Sequence, residues 1–324
     1  MSAALDGFAA GHVPAIEAAR RRIAGHVRRT PLLTTDLDPE LRIKPELLQV
    51  TGSFKPRGAF NAVLGLVERT PDTRGVIAVS SGNHAQAVAL AARTAGIRAV
   101  IIIPEDSNPL KIAATRALGA EVITEGVTFT NRDARLAREM EARGLTLVHP
   151  YDDLNIIHGA ASAAVEMLED DPDLEVIVTP VGGGGLISGT ALAAAALRPG
   201  LRVIGVEPEG ADDAARSLAR GVRQRLDSAP ATIADGVRTL SIGATNFEVI
   251  VSRGLVHAIV TVSEEEIEEA VRLAWTRLHL AVEPTGALPL AAWMSGRFPH
   301  DGRIGLILSG GNADLELVAR LLRR

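Results

Sequence analysis

Gly75-Val76-Ile77-Ala78-Val79, then Ser80-Ser81-Gly82-Asn83-His84, then an alanine-rich run over 85–95 closed by Gly96, reads as a strand, a polar loop and a capped helix. A glycine just past the last apolar repeat offers the left-handed residue on which helices commonly end. The unit recurs. Strands are predicted over 99–103, 121–123 and 146–148, and helices over 110–118 and 131–143, closed by Gly119 and Gly144. The rhythm resumes with a strand over 175–179, a glycine loop, a helix from Leu186 and a strand over 202–206. A strand over 303–308 and a last helix through Leu322 complete it. Such alternation implies an α/β fold of mostly parallel, twisted sheets flanked by helices. In these sheets ligands lie beyond the carboxyl ends of strands, in the loops leading to helices.

The 324 residues suffice for about two domains. With 47% of them hydrophobic and 23% charged, the chain is globular rather than disordered. The formal charge of −5 conceals no basic patch. Arg20-Arg21-Arg22 falls in an amphipathic pattern with Ile16, Ala19, Ile23 and Val27 and reads as a solvated helix face, so no nucleic-acid partner is expected. The absence of cysteine excludes disulfides, thiolate metal sites and a cysteine nucleophile. The longest apolar stretch, 186–197, is too short to cross a bilayer, and the residues around Asp6 show no signal peptide. A cytoplasmic protein without membrane contact is the expectation.

The chain carries 31 arginines but only three lysines, Lys44, Lys55 and Lys111. Arginine keeps its proton at working pH and cannot be a nucleophilic amine, whereas lysine can. Each lysine is therefore a candidate for amine chemistry as well as for an ordinary surface charge.

Four loops at strand ends carry chemically useful groups. In Thr51-Gly52-Ser53-Phe54-Lys55-Pro56-Arg57-Gly58, the proline predicts an extended backbone at Lys55. Ser80 to His84 offers hydroxyls, an amide and free N–H groups at a helix start, which suits a carboxylate. Gly182-Gly183-Gly184-Gly185 lets backbone amides converge at a helix N-terminus, which suits a phosphate. Ser309-Gly310-Gly311-Asn312 follows the final strand. The tetraglycine does not fit G-x-G-x-x-G, because Ile187 or Ser188 stands at the third glycine, although Glu207 ends the next strand where a ribose-binding acid would lie. No Walker A sequence and no G-x-S-x-G elbow is present. No histidine pair has zinc-binding spacing, and His26 and His279 read as ordinary helix residues.

Together these residues resemble the serine/threonine dehydratase and serine racemase family, which uses pyridoxal phosphate on a tryptophan-synthase-β-like fold (fold type II). The likeness runs from Thr30-Pro31-Leu32 to the chain end. It includes Lys44-Pro45-Glu46-Leu47-Leu48-Gln49, the Lys55 and Asn83 loops, the tetraglycine with Leu186, Thr232-Ile233-Ala234-Asp235-Gly236-Val237, Glu283-Pro284-Thr285-Gly286-Ala287 and Leu308 to Asn312.

The resemblance implies that Lys55 carries the cofactor covalently and, once displaced by substrate, shuttles the α-proton. Phe54 would lie against the pyridine ring, Asn83 would bond the ring hydroxyl, Gly182 to Gly185 and Leu186 would hold the phosphate, and Ser309 would meet the pyridine nitrogen. A neutral hydroxyl there does not enforce a protonated ring, which biases the site toward β-elimination. Ser80, Asn83, His84 and Arg132 would bind the substrate carboxylate. Ser81 matches the acid/base of family members that racemise. Glu207, the Ala211 carbonyl and Asp213 match an all-oxygen shell suited to Mg²⁺, Ca²⁺ or Mn²⁺, the alternative being an acidic helix start.

Several departures bear on the substrate. The segment between Leu33 and Lys44 is short for the family, Gly159-Ala160-Ala161-Ser162 replaces Gly-Gln-Gly-Thr, and Pro56 replaces an apolar residue. A chain ending 15 residues after Ser309 has room for one helix, and no C-terminal regulatory domain is expected. A catabolic or side-pathway role follows. The expected architecture has a large cofactor-binding domain from 1–70 and 153–324 and a small mobile domain from 71–152. The expected activity is an ammonia-lyase converting serine, threonine or 3-hydroxyaspartate to a 2-keto acid. An amino-acid racemase with dehydratase side activity is the alternative within the class, and a non-catalytic pyridoxal-phosphate or nucleotide sensor the alternative outside it. A homodimer or homotetramer is implied by the family.

Overall fold

The computed structural model describes residues 2–299 and 302–323, with side chains from residue 7 onward. The strands are β1 (Leu33–Thr34), β2 (Leu41–Pro45), β3 (Val76–Val79), β4 (Ala99–Ile102), β5 (Glu121–Ile123), β6 (Thr146–Leu147), β7 (Val176–Pro180), β8 (Arg202–Pro208), β9 (Ala258–Val262) and β10 (Ile304–Leu308). They form two sheets, one of six strands in the order β1-β2-β10-β7-β8-β9 and one of four in the order β5-β4-β3-β6. Every pairing is parallel except that of β1 with β2. The fold is therefore the α/β arrangement that the alternation of strands and helices dictates.

Residues of β7 and β10 are buried along their whole length, as strands covered on both faces must be. Successive side chains point to opposite faces. Ile177 and Ile307 accordingly join Ile157, Met167, Ile187 and Leu192 on one side of the large sheet. Val178, Leu306 and Leu308 join Ile43, Val206 and Leu288 on the other. The four-stranded sheet has its own core, with Ala78 and Ile101 packed on Phe60, Val63 and Val88.

Helix ends follow the glycines. Gly96, Gly119 and Gly144 all adopt positive φ, of 70°, 93° and 63°. Gly159 serves a different purpose: a Cβ there would fall 2.2 Å from the Arg57 carbonyl oxygen. Its absence lets the helix Leu154–Asp170 lie directly on the helix Lys55–Arg69, which fixes the latter's position.

Three sequence expectations are corrected. Lys55 is not extended: it is the first residue of the helix Lys55–Arg69, with Pro56 in the opening turn, where a missing N–H costs nothing. His26 lies in the turn after the first helix, and His279 lies in a loop with φ of 55°. Three strands go beyond the sequence reading: β1 is only two residues long, Arg42 and Lys44 interrupt the apolar pattern of β2, and β9, Ala258-Ile259-Val260-Thr261-Val262, carries a strand signal that was passed over. Among the described residues no helix is long and apolar enough to cross a membrane.

Candidate active site

The segment before Lys55 zips onto the segment after β10. Phe54 N donates to the Ser309 carbonyl at 3.0 Å, Gly311 N to the Gly52 carbonyl at 2.9 Å, and Asn312 Nδ2 to the Thr51 carbonyl at 2.7 Å. Thr51 holds φ of 59°, unusual for a β-branched residue, and this docking keeps it there. The result sets the helix carrying Lys55 at the carboxyl end of β10, beside Ser309, which is 3% exposed.

The three lysines part company here. Lys44 is wholly buried and pairs with Glu166 at 2.7 Å, and Lys111 pairs with Asp235. Lys55 has no ion pair among the described residues. Its amine donates to the Pro150 carbonyl at 2.9 Å and lies 5.1 Å from the centroid of the Phe54 ring. Burial of that amine lowers its pKa to about 8, with the Glu283 carboxylate pulling the other way. A lysine near neutrality keeps an unprotonated fraction, which is the nucleophilic form.

The loop from Ser80 opens the helix Asn83–Thr94, with the Ser80 hydroxyl accepting from Gly82 N at 3.2 Å and Ser81 exposed. His84 is buried and its Nε2 lies 2.9 Å from the Val148 carbonyl. A carbonyl only accepts, so Nε2 carries the hydrogen. Burial, reinforced by the Lys55 charge, holds the ring neutral with a pKa of about 3. The remaining Nδ1 is thus an acceptor.

The tetraglycine leads into the helix Gly185–Leu197, with Gly184 at φ of 97°. Close neighbours exclude side chains from it. A Cβ at Gly183 would lie 2.1 Å from the Tyr151 ring, and one at Gly184 would lie 2.7 Å from Asn246. Arg132 begins the helix Arg132–Arg143 and stacks its guanidinium 4.0 Å from the Phe129 centroid. Burial raises the Tyr151 pKa, and the Arg132 charge offsets part of that rise.

Sequence reasoning passed over Glu283 and Asn312 as individual site residues, seeing them only inside motifs. Asn83 Nδ2 donates to Glu283 Oε1 at 2.7 Å, and Asn312 Nδ2 donates to Asn83 Oδ1 at 2.7 Å. Burial, then repulsion from Asp235, raises Glu283 to about 7. A single acid in the apolar stretch Leu280 to Leu290 was the signal available.

Glu207, the penultimate residue of β8, is fully buried, with its two oxygens accepting from Ala214 N at 3.1 Å and Ala215 N at 2.8 Å. Asp213 Oδ2 accepts from Ile242 N at 2.8 Å, and Ala211 is buried in the turn between them. Burial raises both acids, Asp213 to about 6, and the Asp213 charge raises Glu207 further. Among the described residues no three acidic, histidine or cysteine side chains converge on one point.

Known proteins resemble this chain in sequence and fold. A family model described as pyridoxal-phosphate dependent enzyme matches residues 23–310. L-threo-3-hydroxyaspartate ammonia-lyase of Pseudomonas sp is 43% identical over 311 residues, covering 94% of this chain and 96% of that protein. Serine racemase of Oryza sativa subsp. indica is 40% identical over 323 residues, covering 96% and 94%. The crystal structure of a T.th. threonine deaminase superposes with a TM-score of 0.88 at 47% identity, covering 93% of this chain and 98% of that one. The family match spans most of the sequence, and the chain belongs to the pyridoxal-phosphate dependent enzymes.

Proposed function

We propose that this enzyme is an ammonia-lyase that removes water from a small β-hydroxy amino acid (serine, threonine or 3-hydroxyaspartate) and releases a 2-keto acid and ammonia. The observation that carries this reading is the Lys55 amine, held by a neutral carbonyl rather than by a carboxylate. Bound pyridoxal phosphate supplies an electron sink for the carbanion formed when the α-proton leaves. Lys55 would hold it and move that proton, Gly182 to Gly185 and Leu186 would take its phosphate, Ser309 its ring nitrogen, Phe54 its face and Asn83 its hydroxyl. The cradle fits an anion because its glycines leave N–H groups uncovered at a helix start. Asn83 keeps one amide hydrogen for the ring hydroxyl after donating the other to Glu283.

Ser80, Asn83 and His84 would bind the substrate carboxylate, His84 through its backbone N–H because its ring N–H is spent on Val148. Arg132 would join them from the mouth. The small domain, 71–152, would bring these groups onto the substrate held by the large domain, 1–70 and 153–324. Mg²⁺, Ca²⁺ or Mn²⁺ would fit between Glu207, Asp213 and the Ala211 carbonyl, where the charge of one buried acid makes the other costlier to ionise. A cytoplasmic homodimer or homotetramer completes the reading.

Racemisation is the second reading, favoured by one observation: Ser81, a hydroxyl at the loop that would cover the substrate, is exposed, where it would be placed to exchange a proton with the substrate. Incubation with L- and D-serine, L- and D-threonine and the 3-hydroxyaspartate isomers, scoring keto acid and chirality, separates the two. Keto acid from a β-hydroxy substrate at a rate exceeding inversion is expected; inversion alone would overturn the lyase assignment.

A further inference from the structure

We propose that Asp152 is a positioning residue for the glycine cradle, acting through the segment that follows Ile242. The inference rests on the reading that this cradle takes the cofactor's phosphate. Asp152 Oδ2 accepts from Ala244 N at 2.9 Å and Oδ1 from Thr245 N at 2.9 Å. One residue earlier in that segment, Gly243 N donates to the Gly183 carbonyl at 3.0 Å. One residue later, Asn246 Nδ2 donates to the Tyr151 carbonyl at 3.1 Å, while the Asn246 side chain abuts Gly184.

One carboxylate is therefore linked to the cradle through two of its neighbours, Tyr151 and Gly243. The Tyr151 ring, next in sequence to Asp152, lies against Gly183, and Gly243 N donates to the Gly183 carbonyl. Little slack remains, since a Cβ at Gly243 would lie 2.5 Å from Asp152 Cγ. Pro150, two residues before Asp152, accepts from the Lys55 amine. The turn between them is pinned by Asp152 N donating to His149 Nδ1 at 2.8 Å. Burial alone would raise the Asp152 pKa, and the N–H groups of Thr245 and Ala244 overcome it, so the carboxylate stays ionised. A preorganised cradle binds its anion without first ordering itself, which is where affinity is gained.

A plain helix cap would show none of this selectivity for phosphate. The test compares apoenzyme titrated with pyridoxal phosphate and with phosphate-free pyridoxal, read by the absorbance of the lysine-bound cofactor, in the parent, Asp152→Asn, Asp152→Ala and Gly243→Ala. Asp152→Ala is expected to weaken pyridoxal phosphate about tenfold, equivalent to about 1.4 kcal/mol, with pyridoxal nearly unchanged. Gly243→Ala should match it, and Asp152→Asn, which keeps one oxygen for an N–H, should fall between. An unaltered preference for pyridoxal phosphate in Asp152→Asn and Asp152→Ala, even with a lower melting temperature, overturns the inference. A parent that shows no such preference would instead refute the cradle assignment itself.

Discussion

Glu283 accepts a hydrogen bond from Asn83 at 2.7 Å across 200 positions of sequence, tying the helix after β3 to the large sheet by a buried carboxyl. That carboxyl titrates near 7 in the folded protein against an ordinary 4.5. Between those values the unfolded chain releases the proton that the folded site keeps, so stability declines as pH rises through the window. The loss is roughly 3 kcal/mol if nothing rearranges. Glu283→Gln should remove it. Denaturant unfolding of the apoenzyme at pH 5 and pH 8 checks this: the parent should lose more stability between them than the variant, and equal losses would contradict the assignment.

Lys55→Ala should abolish covalent attachment of the cofactor and cut keto-acid formation by at least about 10²-fold, the lower end of what a positioned proton-transfer group contributes. Neither Lys44→Ala nor Lys111→Ala should remove the attachment, since both amines are committed to carboxylates. Absorbance of the purified variants and keto-acid release measure the two effects. Attachment surviving in Lys55→Ala would contradict the site.

What local pattern reveals, and what it does not, follows from where each residue's partner lies. β7 and β10 were legible because their burial is continuous and their neighbours in sequence share it. β2 was not, because the Lys44 charge in it is neutralised by Glu166, 122 residues on. The loops were legible as chemistry from residue type alone. The hydrogen bond from Lys55 to Pro150 and the grip of Asp152 on Ala244 were not, since a backbone carbonyl or a common aspartate announces nothing until the chain has folded. The expected extended Lys55 failed for a related reason: the opening turn of a helix accepts proline, and the partner of that turn, Gly159 against the Arg57 carbonyl, lies about a hundred positions away in sequence.

A cation between Glu207 and Asp213 would relieve two buried acids of the repulsion between them. Added Mg²⁺ or Ca²⁺ should therefore raise the melting temperature of the holoenzyme, the gain growing with ligand concentration as mass action requires. A chelator should reverse it, and Glu207→Gln should abolish the response. A melting temperature indifferent to both cation and chelator would leave Glu207 as the cap of the helix Asp213–Arg220, a role the hydrogen bonds from Ala214 and Ala215 already perform, and Asp213 as the acceptor of Ile242 N.

Ser81→Ala separates elimination from inversion. If Ser81 serves as the second proton carrier, the variant should lose inversion of L-serine by about 10²-fold or more while keeping keto-acid formation within a few-fold. Chiral analysis of residual serine beside keto-acid assay gives both rates from one reaction. Inversion at the parental rate in the variant would remove Ser81 from the chemistry.

Arg57, two residues after Lys55, is wholly buried and donates to Glu46 at 2.7 and 2.8 Å and to Glu166 at 2.7 and 2.8 Å. Lys44 supplies the second cation of this cluster and Thr30 a further donor to Glu46. Two acids and two bases balance here, away from water. Removing one base strands a carboxylate, which in a buried pair costs about 3–5 kcal/mol. Arg57→Met should therefore destabilise the protein by that order, although methionine fills much of the same space. The double variant Arg57→Met, Glu166→Gln removes one charge of each sign and should recover part of the loss. Urea unfolding of the parent, both single variants and the double variant gives the coupling directly. Strict additivity would mean that the cluster is packing alone and that its charges do not hold the helix of Lys55 in place.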